Sequence, residues 1–170
     1  IAVTLGVTGE HNIYNALAAI ALANLLSIEK ADMTKALQTF QGTDRRFEYK
    51  GTVGGVTVID DYAHHPTEIT ATLNAARNYP HKTIWCVFQP HTYTRTKSFM
   101  KEFAQALSLA DKVVLADIYA ARETDTLGIS SRTLQEEIRA LGCECYYFPS
   151  FDEIENFLLG NCTTGDLLIT

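Results

Sequence analysis

The sequence predicts an α/β fold, a mostly parallel sheet with helices on both faces, preceded by a helical segment. Three observations lead there. From Val53 onward, apolar strand-like runs alternate with helical patterns, the order that generates a parallel sheet. Runs such as Thr83–Phe88 and Val113–Ile118 are apolar almost without a break, as strands covered on both faces are. Apolar residues make up 46% of 170, enough to bury a real core in one good-sized domain or in one domain plus a fragment of another.

Residues 10–26 carry Ile13, Leu17, Ile20, Ala21 and Leu25 at helical spacing. Alanines at 16, 18, 19, 21 and 23 make this helix slim and apolar nearly all round, so it is expected to be buried. A second helix over roughly 32–40 follows from Met33, Leu37 and Phe40, with Asp32 as its N-cap. Gln41-Gly42-Thr43-Asp44 breaks the pattern and marks a domain boundary. Val53 and Val56–Ile59 flank a Gly54-Gly55 turn and read as strands. Pro66 opens a helix bearing Ile69, Leu73 and Ala76, at an early position where a missing N–H costs nothing. Thr83–Phe88 is a strand, Phe99, Phe103, Ala106 and Leu107 mark a helix, and Val113–Ile118 is the next strand. Leu134, Ile138 and Leu141 form a helix stopped by Gly142. Tyr146–Phe148, Ile154–Leu158 and Leu167–Ile169 complete the order as strand, short helix and strand.

A formal net charge of −6 argues against general nucleic-acid binding, which needs a basic field. Cys86, Cys143, Cys145 and Cys162 lack the paired CxxC spacing of a zinc site and read as reduced thiols, Cys86 buried in its apolar run. No apolar run approaches the ~18 residues of a membrane helix, and the first residues do not resemble a signal peptide. The chain begins at Ile1 and stops in the apolar Leu167-Leu168-Ile169, so it is expected to be cut from a longer protein.

In a parallel α/β sheet, ligands sit where strand C-termini feed helix N-termini. That rule selects Asp60–Thr67, Gln89–Thr96 and Tyr119–Ser130. The first holds Asp60, Asp61, His64 and His65 on one short turn. Asp61 suits a ribose hydroxyl pair and His64 a phosphate or carboxylate; equally, Asp61 and a histidine suit plain helix capping. In the second, Arg95 is a permanent cation able to grip an anion with two prongs, with His91 beside it. The bland alternative is an N-cap by Thr94 or Thr96 and a solvated arginine. Arg45-Arg46-Phe47-Glu48 offers a third candidate, one arginine pairing with Glu48 and the other facing a phosphate, although short basic pairs are most often surface. His11 and Asn15, four apart, share a face at the start of the first helix, where the Asn15 amide reads an adenine edge or ties down a loop. Neither a Gly-x4-Gly-Lys-Ser/Thr phosphate loop nor a Gly-x-Gly-x-x-Gly turn occurs.

Gly9-Glu10-His11-Asn12-Ile13-Tyr14-Asn15-Ala16-Leu17-Ala18-Ala19 resembles the helix near the end of the central ATPase domain of Mur ligases. Arg45-Arg46-Phe47-Glu48, the string Asp60-Asp61-Tyr62-Ala63-His64-His65-Pro66-Thr67-Glu68, and Phe88-Gln89-Pro90-His91 with Tyr93-Thr94-Arg95 resemble the C-terminal domain of the members that add L-alanine to UDP-N-acetylmuramate. The match runs in order over essentially the whole chain. It implies that residues 1–42 are the tail of the central ATPase domain and that 43–170 are a dinucleotide-fold-like C-terminal domain, truncated at its end.

The resemblance further implies a cytoplasmic ligase of peptidoglycan precursor synthesis, and so of cell-wall biogenesis, cell shape and division. In the family, ATP phosphorylates the substrate carboxylate and the incoming amine attacks the acyl phosphate. His64, His91 and Arg95 then line the reacting centre. His11, Asn15, Arg46 and Asp61 serve ATP, and Tyr62, His65 and Tyr93 bind substrate. The implied partners are UDP-N-acetylmuramate, L-alanine, ATP and the protein's own N-terminal and central domains, with no nucleic acid and no membrane. The phosphate loop, catalytic lysine and Mg2+ carboxylates would lie outside this chain; no metal ligand is expected within it, no cofactor is expected to bind it tightly, and alone it is expected to be inactive. Thr92 stands where some family members carry arginine, which leaves Arg95 more of the anion binding. Two alternatives stand beside this reading. One is the family's murein-peptide recycling ligase; the other is a non-catalytic binding module, in which Asp61, His64 and Arg95 need not converge on one cleft.

Overall fold

The computed structural model describes residues 2–7, 9–125 and 127–170. Two helices come first, α1 (Glu10–Leu25) and α2 (Lys30–Thr39). A hairpin of β1 (Glu48–Val53) and β2 (Val56–Asp60) leads into α3 (Pro66–Arg77) and β3 (Ile84–Phe88). Then come α4 (Tyr93–Ser98), α5 (Met100–Leu107), β4 (Lys112–Leu115), α6 (Ser131–Ala140), β5 (Glu144–Tyr147), α7 (Phe151–Asn161) and β6 (Leu167–Ile169).

The strands form one sheet in the order β1-β2-β6-β3-β4-β5. Only the β1–β2 pair is antiparallel. Gly54 and Gly55 both take positive φ, 59° and 82°, as a tight two-residue hairpin turn requires. A Cβ on Gly55 would also meet the Thr164 side chain at 2.6 Å.

Side chains alternate across the sheet and divide the core in two. Ile84, Cys86 and Phe88 of β3 join Ile69 and Leu73 of α3, Phe103 and Leu107 of α5, and Leu134 and Ile138 of α6 on one face. Trp85 faces the other way and packs with Val114 and with Ile154 and Phe157 of α7. Helices therefore cover both faces, as the unbroken apolar strands predict. Each fully buried Leu, Ile or Phe contributes roughly 1.5–3 kcal/mol of transfer free energy.

Several elements differ from expectation. Helix α1 buries only Ala16, while Leu17 is 56% and Leu25 82% exposed. A helix apolar all round needs neighbours on every side, and among the described residues α2 and α3 give it light contact on part of its surface. Helix α2 starts after Glu29, so Asp32 lies in its first turn rather than at its cap, where its charge still suits the helix dipole. β1 begins at Glu48, five residues before the apolar Val53, because hairpin hydrogen bonding with an exposed face needs no apolar run. β4 stops at Leu115, short of Ile118. The helix expected around Phe99 is two, divided where Phe99 leaves helical geometry at φ −115°, ψ 21°.

The parallel strands β2, β6, β3 and β4 all finish at one edge, at Asp60, Ile169, Phe88 and Leu115. The segments that leave this edge carry the polar residues singled out above.

Candidate functional site

Asp61 follows the end of β2 and ties three pieces of backbone together. Its N–H donates to Thr170 O at 2.9 Å, Oδ2 accepts from Phe47 N–H at 2.9 Å, and Oδ1 accepts from Ala63 N–H at 2.9 Å. An ionised carboxylate has about four acceptor positions, so Asp61 retains capacity for a ligand while organising the turn. Asp61 organises the turn and does not cap α3, whose N-cap is His65.

α3 is capped by His65, whose Nδ1 accepts from Thr67 N–H at 3.3 Å. Glu68 completes the cap by accepting from His64 N–H and His65 N–H. Burial pushes the Glu68 carboxyl up, but the His64 N–H, the His64 and Arg46 charges and the His65 N–H together hold it below its ordinary value. The His65 ring rests edge-on against Phe99 at 4.9 Å. His64 places Nδ1 2.9 Å from Tyr62 O. Only a protonated Nδ1 can donate to a carbonyl, so in the neutral ring Nε2 carries the free lone pair.

The segment after β3 is pinned from its neighbour. His91 bridges Tyr119 in parallel register, Thr92 N–H donates to Tyr119 O at 2.9 Å, and Tyr119 N–H donates to Pro90 O at 2.8 Å. Thr92 is the N-cap of α4, its hydroxyl accepting from Arg95 N–H at 3.4 Å, so neither Thr94 nor Thr96 holds that position. Thr92 adopts φ 63°, ψ 146°, a combination that costs a β-branched residue roughly 1–3 kcal/mol and persists where surrounding bonds over-determine it. Glu123 supplies two of those bonds, accepting from Thr94 N–H at 3.0 Å and from the Thr94 hydroxyl. The Thr94 hydroxyl and N–H hold the Glu123 carboxyl below its ordinary value.

These segments enclose a cavity of about 390 Å³ lined by Arg45, Asp61, Tyr62, His64, His91 and Arg95. A second cavity of about 1080 Å³ lies beside the α1 N-terminus and is lined by His11, Asn15, Arg46, Asp61 and Glu68. Asp61 lines both. The adjacent arginines part company here. Arg45 lies over the Tyr62 ring at 4.6 Å, with Nε 3.6 Å from Asp60, while Arg46 comes within 3.6 Å of Glu68. Glu48 pairs with Lys50 at 2.9 Å and accepts the Arg45 backbone N–H, rather than taking an arginine side chain. Asn15 donates to Asn12 Oδ1 at 3.3 Å.

The structure thus brings eight of the ten residues singled out for ATP, the reacting centre or substrate into two adjoining cavities. His65 and Tyr93 line neither. Sequence reasoning missed Arg45 as a cavity residue, and it selected the segment Tyr119–Ser130 without singling out Glu123 within it. Arg45 carried a signal in its pairing with Arg46; nothing local distinguishes Glu123 from a solvated loop acid. Among the described residues no three His, Cys, Asp or Glu side chains group to hold a metal ion, and no helix is long and apolar enough to cross a membrane.

Residues 45–170 match the family described as Mur ligase, glutamate ligase domain. The chain belongs to the Mur ligase family. It is 64% identical over 168 residues to the UDP-N-acetylmuramate–L-alanine ligase of Lachnospira eligens, a match covering 99% of this chain and 37% of that protein. The chain therefore spans little more than a third of that relative's length. The crystal structure of the UDP-N-acetylmuramate–alanine ligase of Thermotoga maritima superimposes with a TM-score of 0.80 at 31% identity, over 98% of this chain and 35% of that one. A murein peptide ligase from Psychrobacter arcticus follows at TM-score 0.68 and 28% identity, over 98% of this chain and 35% of that one. The Mur ligase fold expected of the sheet and its flanking helices is the fold observed.

Proposed function

We propose that this chain is the amino-acid end of an ATP-dependent ligase that joins L-alanine to UDP-N-acetylmuramate in cytoplasmic peptidoglycan precursor synthesis, and so serves cell-wall biogenesis and cell division. The observation that carries the reading is the convergence of Asp61, His64, His91 and Arg95 on one cavity beside a second that gathers His11, Asn15, Arg46 and Asp61. A non-catalytic module does not require such convergence. The 64% identity to a ligase of that name favours alanine addition over peptide recycling.

On this reading residues 1–42 complete the central ATPase domain and 43–170 form the C-terminal domain. The larger cavity takes the nucleoside of ATP: the Asn15 amide faces the base with His11 beside it, Arg46 meets phosphate charge, and Asp61 accepts from the ribose. The smaller cavity takes L-alanine and the activated carboxylate. Arg95 holds anionic oxygen with its planar fork. His64 and His91 orient the amine and receive its proton as the C–N bond forms and phosphate departs. Such chemistry needs positioning of a neutral amine and stabilisation of phosphoryl oxygens, and these side chains suit both. Among the described residues no cluster of side chains fits a magnesium site.

The test is product formation by the full-length protein. ATP-dependent synthesis of UDP-N-acetylmuramoyl-L-alanine, weakened in Asp61→Ala, is expected; preference for a murein tripeptide over L-alanine would move the protein to the recycling branch.

A further inference from the structure

We propose that Glu123 is a positioning residue for the amino-acid end of the site, acting through Thr94 and the strained Thr92 turn on Arg95. This deepens the ligase reading and rests on it. Glu123 comes from the loop after β4, a different element from the one it holds. Its two oxygens engage both donors of Thr94, the backbone N–H at 3.0 Å and the hydroxyl. Thr94 lies between Thr92, whose φ is 63°, and Arg95, whose N–H bonds the Thr92 hydroxyl. A β-branched residue leaves this conformation unless neighbours fix it. Two backbone bonds between Thr92, Tyr119 and Pro90 fix the start of the turn, and Glu123 fixes the residue that follows. Without Glu123, the first turn of α4 keeps its bonds at Thr92 but loses both that hold Thr94, the residue next to Arg95.

The contribution reaches only one cavity. Arg95 lines the smaller one and none of the Thr92–Glu123 group lines the larger. Losing the brace should therefore impair L-alanine use and spare ATP. Glutamine can accept from Thr94 N–H and donate to its hydroxyl, keeping both contacts without the charge.

Two measurements test the proposal. Hydrogen exchange in the segment 92–98 of this chain should quicken in Glu123→Ala and stay near wild type in Glu123→Gln, with core strands unchanged in both. In the full-length protein, Glu123→Ala should raise the KM for L-alanine about tenfold or more and leave the KM for ATP within about twofold, with Glu123→Gln restoring most of the loss. Arg95→Ala is measured alongside. Unchanged exchange in Glu123→Ala overturns the brace whatever the activity shows. Faster exchange with an unaltered KM for L-alanine, while Arg95→Ala raises it, overturns the positioning role alone. If Arg95→Ala is also silent, the site reading itself fails and takes the positioning role with it. A fall in kcat with both KM values unchanged indicates a lower active fraction and overturns the proposal.

Discussion

Asp61 accepts the backbone N–H of Phe47 at 2.9 Å and thereby joins the sheet edge to the turn at which two consecutive arginines diverge. With the bond from Tyr62 N–H to Arg45 O at 2.8 Å, it ties the turn that carries both arginines to the end of β2. Its loss should be felt in both cavities. Asp61→Ala leaves the N–H groups of Phe47 and Ala63 without their acceptor, at about 1–3 kcal/mol for each group that water does not reach. We expect a lower urea midpoint with unchanged slope, and a raised KM for both ATP and L-alanine in the full-length protein. A variant as stable as wild type would show that the turn holds itself.

Glu68 predicts a pH dependence of stability. Its folded carboxyl lies below its ordinary value of 4.5, so the unfolded chain binds the proton more tightly. The stability it contributes is therefore present above about pH 4.5 and is lost as pH falls through the lower folded value. Urea midpoints of wild type and Glu68→Gln should differ at pH 7 and converge as pH falls below 4.5 and through the lower folded value. A constant difference across that range would assign the effect to hydrogen bonding alone.

The core on the α3 face predicts a stability loss of a different kind. Leu73 is fully buried between helix and sheet. Leu73→Ala should cost about 2–5 kcal/mol, through lost transfer energy and the cavity left behind. Calorimetric unfolding of the purified chain measures it; a loss under about 1 kcal/mol would mean that the site collapses around the deletion.

This chain by itself should not hydrolyse ATP. It contains no phosphate loop to cradle the β- and γ-phosphates. Phosphate release by pure chain, above that of Asp61→Ala, would contradict this.

Much of this was legible in the sequence, and the illegible parts share causes. β3 and β6 could be placed because burial on both faces forces unbroken apolar runs, β2 because it flanks the Gly54-Gly55 turn, and Pro66 marked the start of α3. α1 was correctly a helix, yet its burial was not, because apolarity reports what a helix needs and not which neighbours are at hand. The break at Phe99 and the Thr92 cap are tertiary: Thr92 holds its turn through Tyr119 and Glu123, some thirty residues away. Asp61, His64, His91 and Arg95 were legible because the strand–helix rule points to loop positions regardless of tertiary detail. Glu123 was not, since its partners are set by packing of two loops. His65 shows the converse, a polar residue in the right segment whose ring serves the α3 cap and Phe99.

The central claim is that the two cavities divide the work, nucleotide in one and amino acid with activated carboxylate in the other. The most direct measurement is steady-state kinetics of Arg46→Ala, Arg95→Ala and Arg95→Lys in the full-length protein. Arg46→Ala should raise the KM for ATP and spare that for L-alanine. Arg95→Ala should do the reverse, losing about 2–5 kcal/mol in kcat/KM for L-alanine. Arg95→Lys should be nearly as poor, because lysine keeps the charge and loses the fork. If both alanine variants raise the same KM, or if both behave as wild type within about 0.5 kcal/mol, the division of the site between Arg46 and Arg95 is wrong.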